Sequence, residues 1–208
     1  MELKNLTTLD LMNPLHQIKA YYLSLNPDIR DSDWEVFEQF LQVQVLEKGE
    51  TITRPGQTAQ DVCFVAEGMV MMYILSEDRQ LVLEFFNENW YCCDYESFLT
   101  RKPSPYYLEA MERTVLVNLS YADLQKVYKL GPSFEKMGRL MAEFLYICLS
   151  HKSTALLSQT PEQRYTELTQ TRPEIFQRVP QYMIASYLGI TPESLSRIRK
   201  RMVAKVRN

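Results

Sequence analysis

Histidine is almost missing from this chain. His16 and His151 are the only two among 208 residues, they lie far apart, and no nucleophile motif accompanies them. An enzyme of the acid–base or covalent kind needs a base and a nucleophile in one pocket, so catalysis is the function class the sequence supports least and no catalytic residue is expected. Cysteine is sparse too. Cys63, Cys92, Cys93 and Cys148 include no C-x-x-C pair and no Cys/His cluster, which argues against a metal site or a disulfide framework. Adjacent Cys92 and Cys93 do not make a metal site, and vicinal pairs rarely form structural disulfides. The four read as small core residues of a reduced, cytoplasmic protein, and no metal or cofactor is expected. No apolar run approaches the ~18 residues of a membrane span, and the start of the chain has no basic region followed by an apolar stretch. Neither membrane insertion nor secretion is expected, and there are no internal repeats or low-complexity segments.

Hydrophobic residues make up 46% of the chain and aromatics 12%, enough for ordered cores in one or two domains. The net charge is -3 and the pI about 5.6, unusual for a protein that meets phosphate. That average hides a split. Between Arg172 and Asn208 there are eight Lys/Arg against two Asp/Glu, a net of +6, leaving -9 for the remainder. Only the C-terminal segment has the electrostatic footprint of a nucleic-acid binder.

Within that segment, Gln181 to Arg201 reads as a helix-turn-helix. Ile184, Ala185 and Leu188 face inward on a first helix, and the small Ala185 lets a second helix cross closely. Gly189 suits the turn because it alone adopts a left-handed backbone without steric cost. Thr191 is placed to cap the next helix, and Pro192 stands at its first position, where a missing N–H costs nothing. In that second helix Leu195, Ile198 and Met202 face the core, leaving Glu193, Ser194, Arg197, Lys200 and Arg201 outside. An arginine there can bond both acceptors of a guanine, a glutamate can accept from a cytosine amine, and later cations can neutralise phosphates. A basic face alone also suits a helical hairpin in water; small residue, glycine, cap and core aliphatics together point to DNA. The expected DNA-contacting set is Gln181, Thr191, Glu193, Ser194, Arg197, Arg199, Lys200 and Arg201.

Upstream, the first forty residues mix short helical patterns with breaks at Pro14 and Pro27, and Ser32-Asp33 is placed to cap a helix carrying Trp34, Phe37, Phe40 and Leu41. From Gln42 the period changes to two, with about eight short strands up to Leu119 separated by turn signals, the pattern of an antiparallel sandwich or barrel. Ser120-Tyr-Ala-Asp123 resembles a capping box opening a helix that ends at Gly131-Pro132. Ser133 starts a longer one to about Ser158, with Phe134, Met137, Met141, Phe144 and Cys148 in steps of three and four and Leu140, Ile147 and Leu156 widening the stripe. A helix apolar over so broad a face is expected to need two partners, its own β domain and the same helix of a second subunit; burial wholly inside one subunit is the alternative. Thr160-Pro161-Glu162 caps a further helix, and Thr171-Arg172-Pro173 leads into the C-terminal unit.

A roll of about eight strands, a long helix and a C-terminal helix-turn-helix, in that order, resembles the Crp/Fnr family of bacterial transcription regulators. Val65-Ala-Glu-Gly68 looks like the family's glycine turn, Gly49 and Gly56 sit where the roll turns, and Ile190 to Arg201 looks like its recognition helix, with Glu193 and Arg197 at base-reading positions. The resemblance implies an α+β fold: an N-terminal double-stranded, jelly-roll-like β-roll of cyclic-nucleotide-binding type with its N-terminal helices over residues 1–132, a dimerisation helix over 133–158, and a helix-turn-helix domain over 159–208. With only Met202 to Asn208 following the recognition helix, most of the usual β-wing is expected to be missing. It further implies a cytoplasmic homodimer on near-palindromic double-stranded DNA, a small-molecule effector held near Phe85, Cys93, Asp94, Tyr106, Tyr107 and Ser150, and RNA polymerase as a further partner.

This chain departs from the pattern in its effector chemistry. The family's nucleotide receptors carry Gly-Glu and, later, Arg-Ser or Arg-Thr, because the ribose needs a carboxylate and the cyclic phosphate a guanidinium and a helix N-terminus. Here Cys93 and Asp94 replace the first pair, and Ser104-Pro105-Tyr106-Tyr107 lacks the arginine. A buried phosphate without that cation loses its principal partner, so the effector is expected to be something other than cAMP or cGMP. No cysteine precedes Cys63 to hold an N-terminal iron–sulfur cluster, and the two histidines offer no axial haem ligand from the roll. Cys92 and Cys93 are left as a candidate redox-responsive pair. Two other readings stay open: a ligand-sensing roll acting through protein partners rather than DNA, and an effector-free regulator whose roll is only a platform.

Overall fold

The computed structural model describes residues 13–27, 29–77 and 79–206. The chain start read for a leader, Asp78 of the Ser76–Arg79 turn and the last two residues lie outside these. The chain forms two compact units, each discontinuous in sequence. The first holds the chain up to Met72 together with Phe85–Glu143. The second holds Tyr73–Glu84 together with the chain from Phe144 onward.

The first unit opens with α1 (Pro14–Leu25) and α2 (Asp31–Glu38). Pro14, read as a break, instead occupies the first turn of α1, where the missing N–H is harmless, and Asn13 caps that helix by accepting from the Leu15 amide at 2.9 Å. In α2 the N-cap is Arg30 rather than Ser32, and Asp31 and Asp33 complement the helix dipole in the first turn. The helix buries Trp34 and Phe37 but ends at Glu38, so Phe40 and Leu41 lie beyond it.

All eight strands anticipated from the period-two pattern are present: β1 (Gln42–Leu46), β2 (Thr51–Thr53), β3 (Asp61–Glu67), β4 (Val70–Ser76), β5 (Arg79–Phe86), β6 (Tyr91–Cys92), β7 (Tyr107–Ala110) and β8 (Thr114–Ser120). They form two four-stranded sheets in the orders β1-β8-β3-β6 and β2-β7-β4-β5, the antiparallel β-roll. Leu46, Cys63, Val65, Val70, Phe86, Cys92, Leu108, Ala110 and Leu116 make its apolar interior, with Trp90 and Tyr106 packed against it.

The register of β3 on β8 shifts between Val65 and Glu67, and Gly68 follows with a left-handed φ of 94°. A Cβ there would stand 2.5 Å from the Arg113 carbonyl oxygen and 2.7 Å from the Thr114 Cα. Gly68→Ala is therefore expected to destabilise the roll by about 2 kcal/mol or more, since strain and a backbone clash combine. Urea unfolding would show it as a lower midpoint at unchanged slope.

A helix that the sequence reading left unassigned, α3 (Tyr95–Thr100), lies between β6 and β7. It is too short for a periodic signal; Asp94 as N-cap was its only local sign. Ser120 caps α4 (Tyr121–Tyr128) by accepting from the Asp123 amide at 3.0 Å. That helix stops at Tyr128, and Pro132 opens α5 (Pro132–Ser158).

Part of the stripe expected at the dimer seam is covered by the helix's own unit. Phe134, Met137 and Met141 are buried within their own unit, and Phe144 and Cys148 are half-buried. Phe134 packs against Phe37 with ring centroids 6.4 Å apart, and buried Gly138 lies so close under Tyr128 that an added Cβ would collide with its ring. Those residues form the inner side of the helix. Its exposed apolar residues include Tyr146, Leu149, Leu156 and Leu157.

The second unit continues from α5 through α6 (Pro161–Thr171), α7 (Pro173–Arg178), α8 (Gln181–Tyr187) and α9 (Pro192–Val206), and includes the tip of the β4–β5 hairpin. Thr160 and Gln163 form a complete capping box on α6. Leu168, Ile175, Val179, Ile184, Ala185, Leu188, Leu195 and Ile198 are buried in this unit. No helix among the described residues is long and apolar enough to cross a membrane.

Candidate nucleic-acid interface

The segment read as a helix-turn-helix forms α8 and α9, joined at Gly189, whose φ of 68° is left-handed. Ile184 and Ala185 have no exposed surface and Leu188 is 3% exposed, so the first helix is seated as its sequence suggested, the missing side-chain bulk at Ala185 allowing a close crossing. The turn is clamped from α6: Arg164 donates to the Leu188 carbonyl through Nε at 3.2 Å and Nη2 at 2.9 Å, and to the Gln159 carbonyl at 2.7 Å. Sequence reasoning missed Arg164, which carries no local signal beyond its charge. Thr191 caps α9, its hydroxyl accepting from the Ser194 amide at 3.3 Å.

Leu195 and Ile198 anchor α9 inward. Met202, expected beside them, is half-buried and instead lines a groove of about 480 Å³ with Glu162, Gln163 and Thr166 of α6. The helix also runs to Val206, past the Arg201 end read from sequence. At 3.6 residues per turn, Glu193, Ser196, Arg197 and Lys200 share its outer side, and all four are exposed. Ser196 was not singled out from sequence. It lines an open surface cavity of about 590 Å³ with Gln181, Pro192, Leu195, Arg199 and Lys200.

The remaining expected contacts divide by what already holds them. Ser194 is only half-exposed, and its hydroxyl meets Thr191 at 3.2 Å and Arg197 Nη2 at 3.3 Å. Arg199 donates to Gln181 Oε1 at 2.6 Å, so these two, far apart in sequence, are brought together. Arg201 points elsewhere, paired with Glu162 of α6 at 2.6 Å. The Glu193 carboxyl is held below its ordinary range by its own backbone amide, the Thr191 hydroxyl and Arg197. At neutral pH it is an acceptor only, the state that can take a bond from a cytosine amine.

The residues named for an effector are placed differently. Phe85 is fully buried on β5, Cys93, Tyr106 and Tyr107 are half-buried, and Ser150 is exposed on α5 in the second unit. Asp94 is buried and its carboxylate accepts from the Ser97 amide at 3.1 Å as the cap of α3. The nearby cation is Arg101, with a left-handed φ of 60°. It donates to the carbonyls of Ala59 at 2.8 Å and Phe98 at 3.0 Å and to Gln60 Oε1 at 2.7 Å, and it stacks 4.5 Å from the centre of the Tyr121 ring. An anionic ligand would have to take this guanidinium from three acceptors.

The cysteines are poorly suited to redox sensing. Cys63 and Cys92 are register partners on β3 and β6 with no exposed surface. A hydrogen bond to Cys92 and then burial push the Cys63 thiol well up, and burial does the same to Cys93. The thiolate is the reactive form, and both effects disfavour it.

Residues 43–130 match the cyclic nucleotide-binding domain family. No curated protein matches the chain. Among solved structures it is similar to CLP of Xanthomonas campestris, described as a c-di-GMP-responsive global regulator, at 21% identity and a TM-score of 0.65 over 85% of this chain and 93% of that one. It is also similar to FixK2 of Bradyrhizobium japonicum, at 20% identity and a TM-score of 0.62 over 79% and 85%. A third structure, described as a transcriptional regulator of the Crp/Fnr family from Eubacterium rectale, has 17% identity and a TM-score of 0.65 over 88% of each chain.

Proposed function

Since the chain has the fold of Crp/Fnr regulators with a cyclic nucleotide-binding domain at residues 43–130, we propose that it is a homodimeric, sequence-specific DNA-binding transcription regulator. The observation that carries this reading is the outer side of α9, where Glu193, Ser196, Arg197 and Lys200 stand exposed on a helix anchored by Leu195 and Ile198. Glu193 and Arg197 read base edges, with Ser196 in reach of the same groove. Arg199, oriented by Gln181, and Lys200 hold phosphates; Arg201 joins them if it exchanges Glu162 for a phosphate oxygen. The exposed side of α5 joins two protomers, which sets two recognition helices against half-sites about one duplex turn apart.

The roll is read as a sensor for an effector other than cAMP or cGMP. Asp94 is committed to capping α3 and Arg101 to three protein acceptors, which leaves a cyclic phosphate without a ready cation.

Selection from random duplex DNA tests the function. The expected result is enrichment of a near-palindrome whose binding weakens as salt rises, by about 0.9 in log K per log salt for each phosphate neutralised. The selection is run with and without cell metabolites, and with c-di-GMP as a separate arm because of the Xanthomonas regulator. No enrichment under any condition would refute the reading in favour of a ligand-sensing module.

A further inference from the structure

The tip of the β4–β5 hairpin, Tyr73–Glu84, belongs to the same compact unit as the helix-turn-helix. Ser186 of α8 joins the two. Its hydroxyl accepts from the Val82 amide at 2.9 Å and donates to the Gln80 carbonyl at 3.1 Å, so one side chain serves both a donor and an acceptor of β5, as a neighbouring strand would. A second tie lies along the same strand. The Glu84 carboxylate pairs with Lys152 of α5 at 2.8 Å and with Arg172, just before α7, at 2.8 Å. Lys152 also donates to the Leu83 carbonyl and stands 4.3 Å from the centre of the Tyr187 ring. All three charged side chains are largely shielded from water, so removing the acid would leave Lys152 without its carboxylate and Arg172 with only Glu174, 3.9 Å from its Nε, in a low-dielectric setting.

These contacts reach the turn between α8 and α9. The Ser186 carbonyl accepts from the Gly189 amide at 2.9 Å, so the residue tied to the hairpin also closes the turn that aims α9. Arg164 holds that turn through the Leu188 carbonyl, two residues further on. We propose that Ser186 and Glu84 are positioning residues for DNA recognition, through which the β4–β5 hairpin seats the helix-turn-helix. The inference rests on the DNA-binding reading above. Only the seated head meets the operator correctly, and apparent affinity scales with the seated fraction. β4 and β5 also continue into the first unit, so the hairpin is a covalent route by which the roll reaches the reading head.

The test uses the full-length protein and a duplex selected by the parent, comparing Ser186→Ala, Ser186→Thr and Glu84→Gln across a salt series well below their unfolding temperatures. Ser186→Ala should bind roughly tenfold more weakly, the worth of two neutral hydrogen bonds. Ser186→Thr, which keeps the hydroxyl, should retain most of the affinity, and Glu84→Gln should lose about tenfold or more. The salt slope should be the same in all four, because no phosphate contact is touched. Amide exchange should quicken in α8 and α9 of Ser186→Ala and stay unchanged in β3 and β8. Parent affinity in both Ser186→Ala and Glu84→Gln would overturn the positioning role, leaving those bonds merely structural. A slope smaller by about one in Ser186→Ala would overturn it as well, since Ser186 would then touch DNA itself. A parent that binds no duplex would instead sink the DNA-binding reading.

Discussion

Replacing both Leu149 and Leu157 of α5 with glutamate is expected to convert the proposed dimer to a monomer that retains its fold. Leu157 is 90% exposed and Leu149 65%, and Tyr146 and Leu156 lie beside them. At about 100° per residue, Ala142, Leu145, Tyr146, Leu149, Ser153, Leu156 and Leu157 fall within roughly a third of a turn of one another. This is the width of a seam between paired helices. Burying a leucine side chain contributes about 1.5–3 kcal/mol, and a two-fold interface uses every residue twice. The double substitution therefore removes four such contributions and puts four carboxylates into the seam. The folded protomer should be spared because these side chains already face solvent. Light scattering after size exclusion would report half the mass, with unchanged circular dichroism. Affinity for a full operator should fall by about 10²-fold or more, because the second head loses its effective concentration, whereas affinity for one half-site should change little. A variant that stays dimeric at micromolar concentration would move the interface elsewhere.

The second large effect is expected at Arg197. Truncation to alanine should cost about 1–3 kcal/mol on the selected operator and relax selectivity at one base pair in each half-site. Arg197 is exposed, one helical turn after Glu193, and its guanidinium rests on the Ser194 hydroxyl at 3.3 Å, so little is given up when it turns to a guanine. Lys200→Ala is the informative contrast. It should weaken binding to all sequences alike and flatten the salt slope by about one per protomer. Equal discrimination by Arg197→Ala and the parent would remove Arg197 from the readout.

Much of this architecture was legible in the chain. The strands showed as period-two runs between turn signals, and Ser120, Thr160 and Thr191 cap their helices as their positions suggest. Gly68 and Gly189 occupy left-handed turns. These are short-range features, decided by a few neighbouring residues. What the sequence left open has another origin. On α5 the residues at steps of three and four were found, but amphipathicity shows only that a side is apolar, not what covers it. Phe134, Met137 and Met141 turned out to be covered by their own chain. Asp94 was read as ligand chemistry, whereas the fold uses it to cap α3, and Arg101, which the sequence did not single out, donates to the Ala59 carbonyl more than forty residues away. Nothing near Ser196 in sequence distinguishes it from Ser194; the helix presents one to solvent and occupies the other.

Element type, chain order, the charge split and the helix-turn-helix all follow from local propensity and composition, because period, caps and turn residues act over three or four positions. Partner choice belongs to the folded chain. Which side of α5 stays exposed, which cation Glu162 engages, and the meeting of Ser186 with a strand more than a hundred residues earlier in the chain depend on long-range packing, and no window of sequence contains that packing.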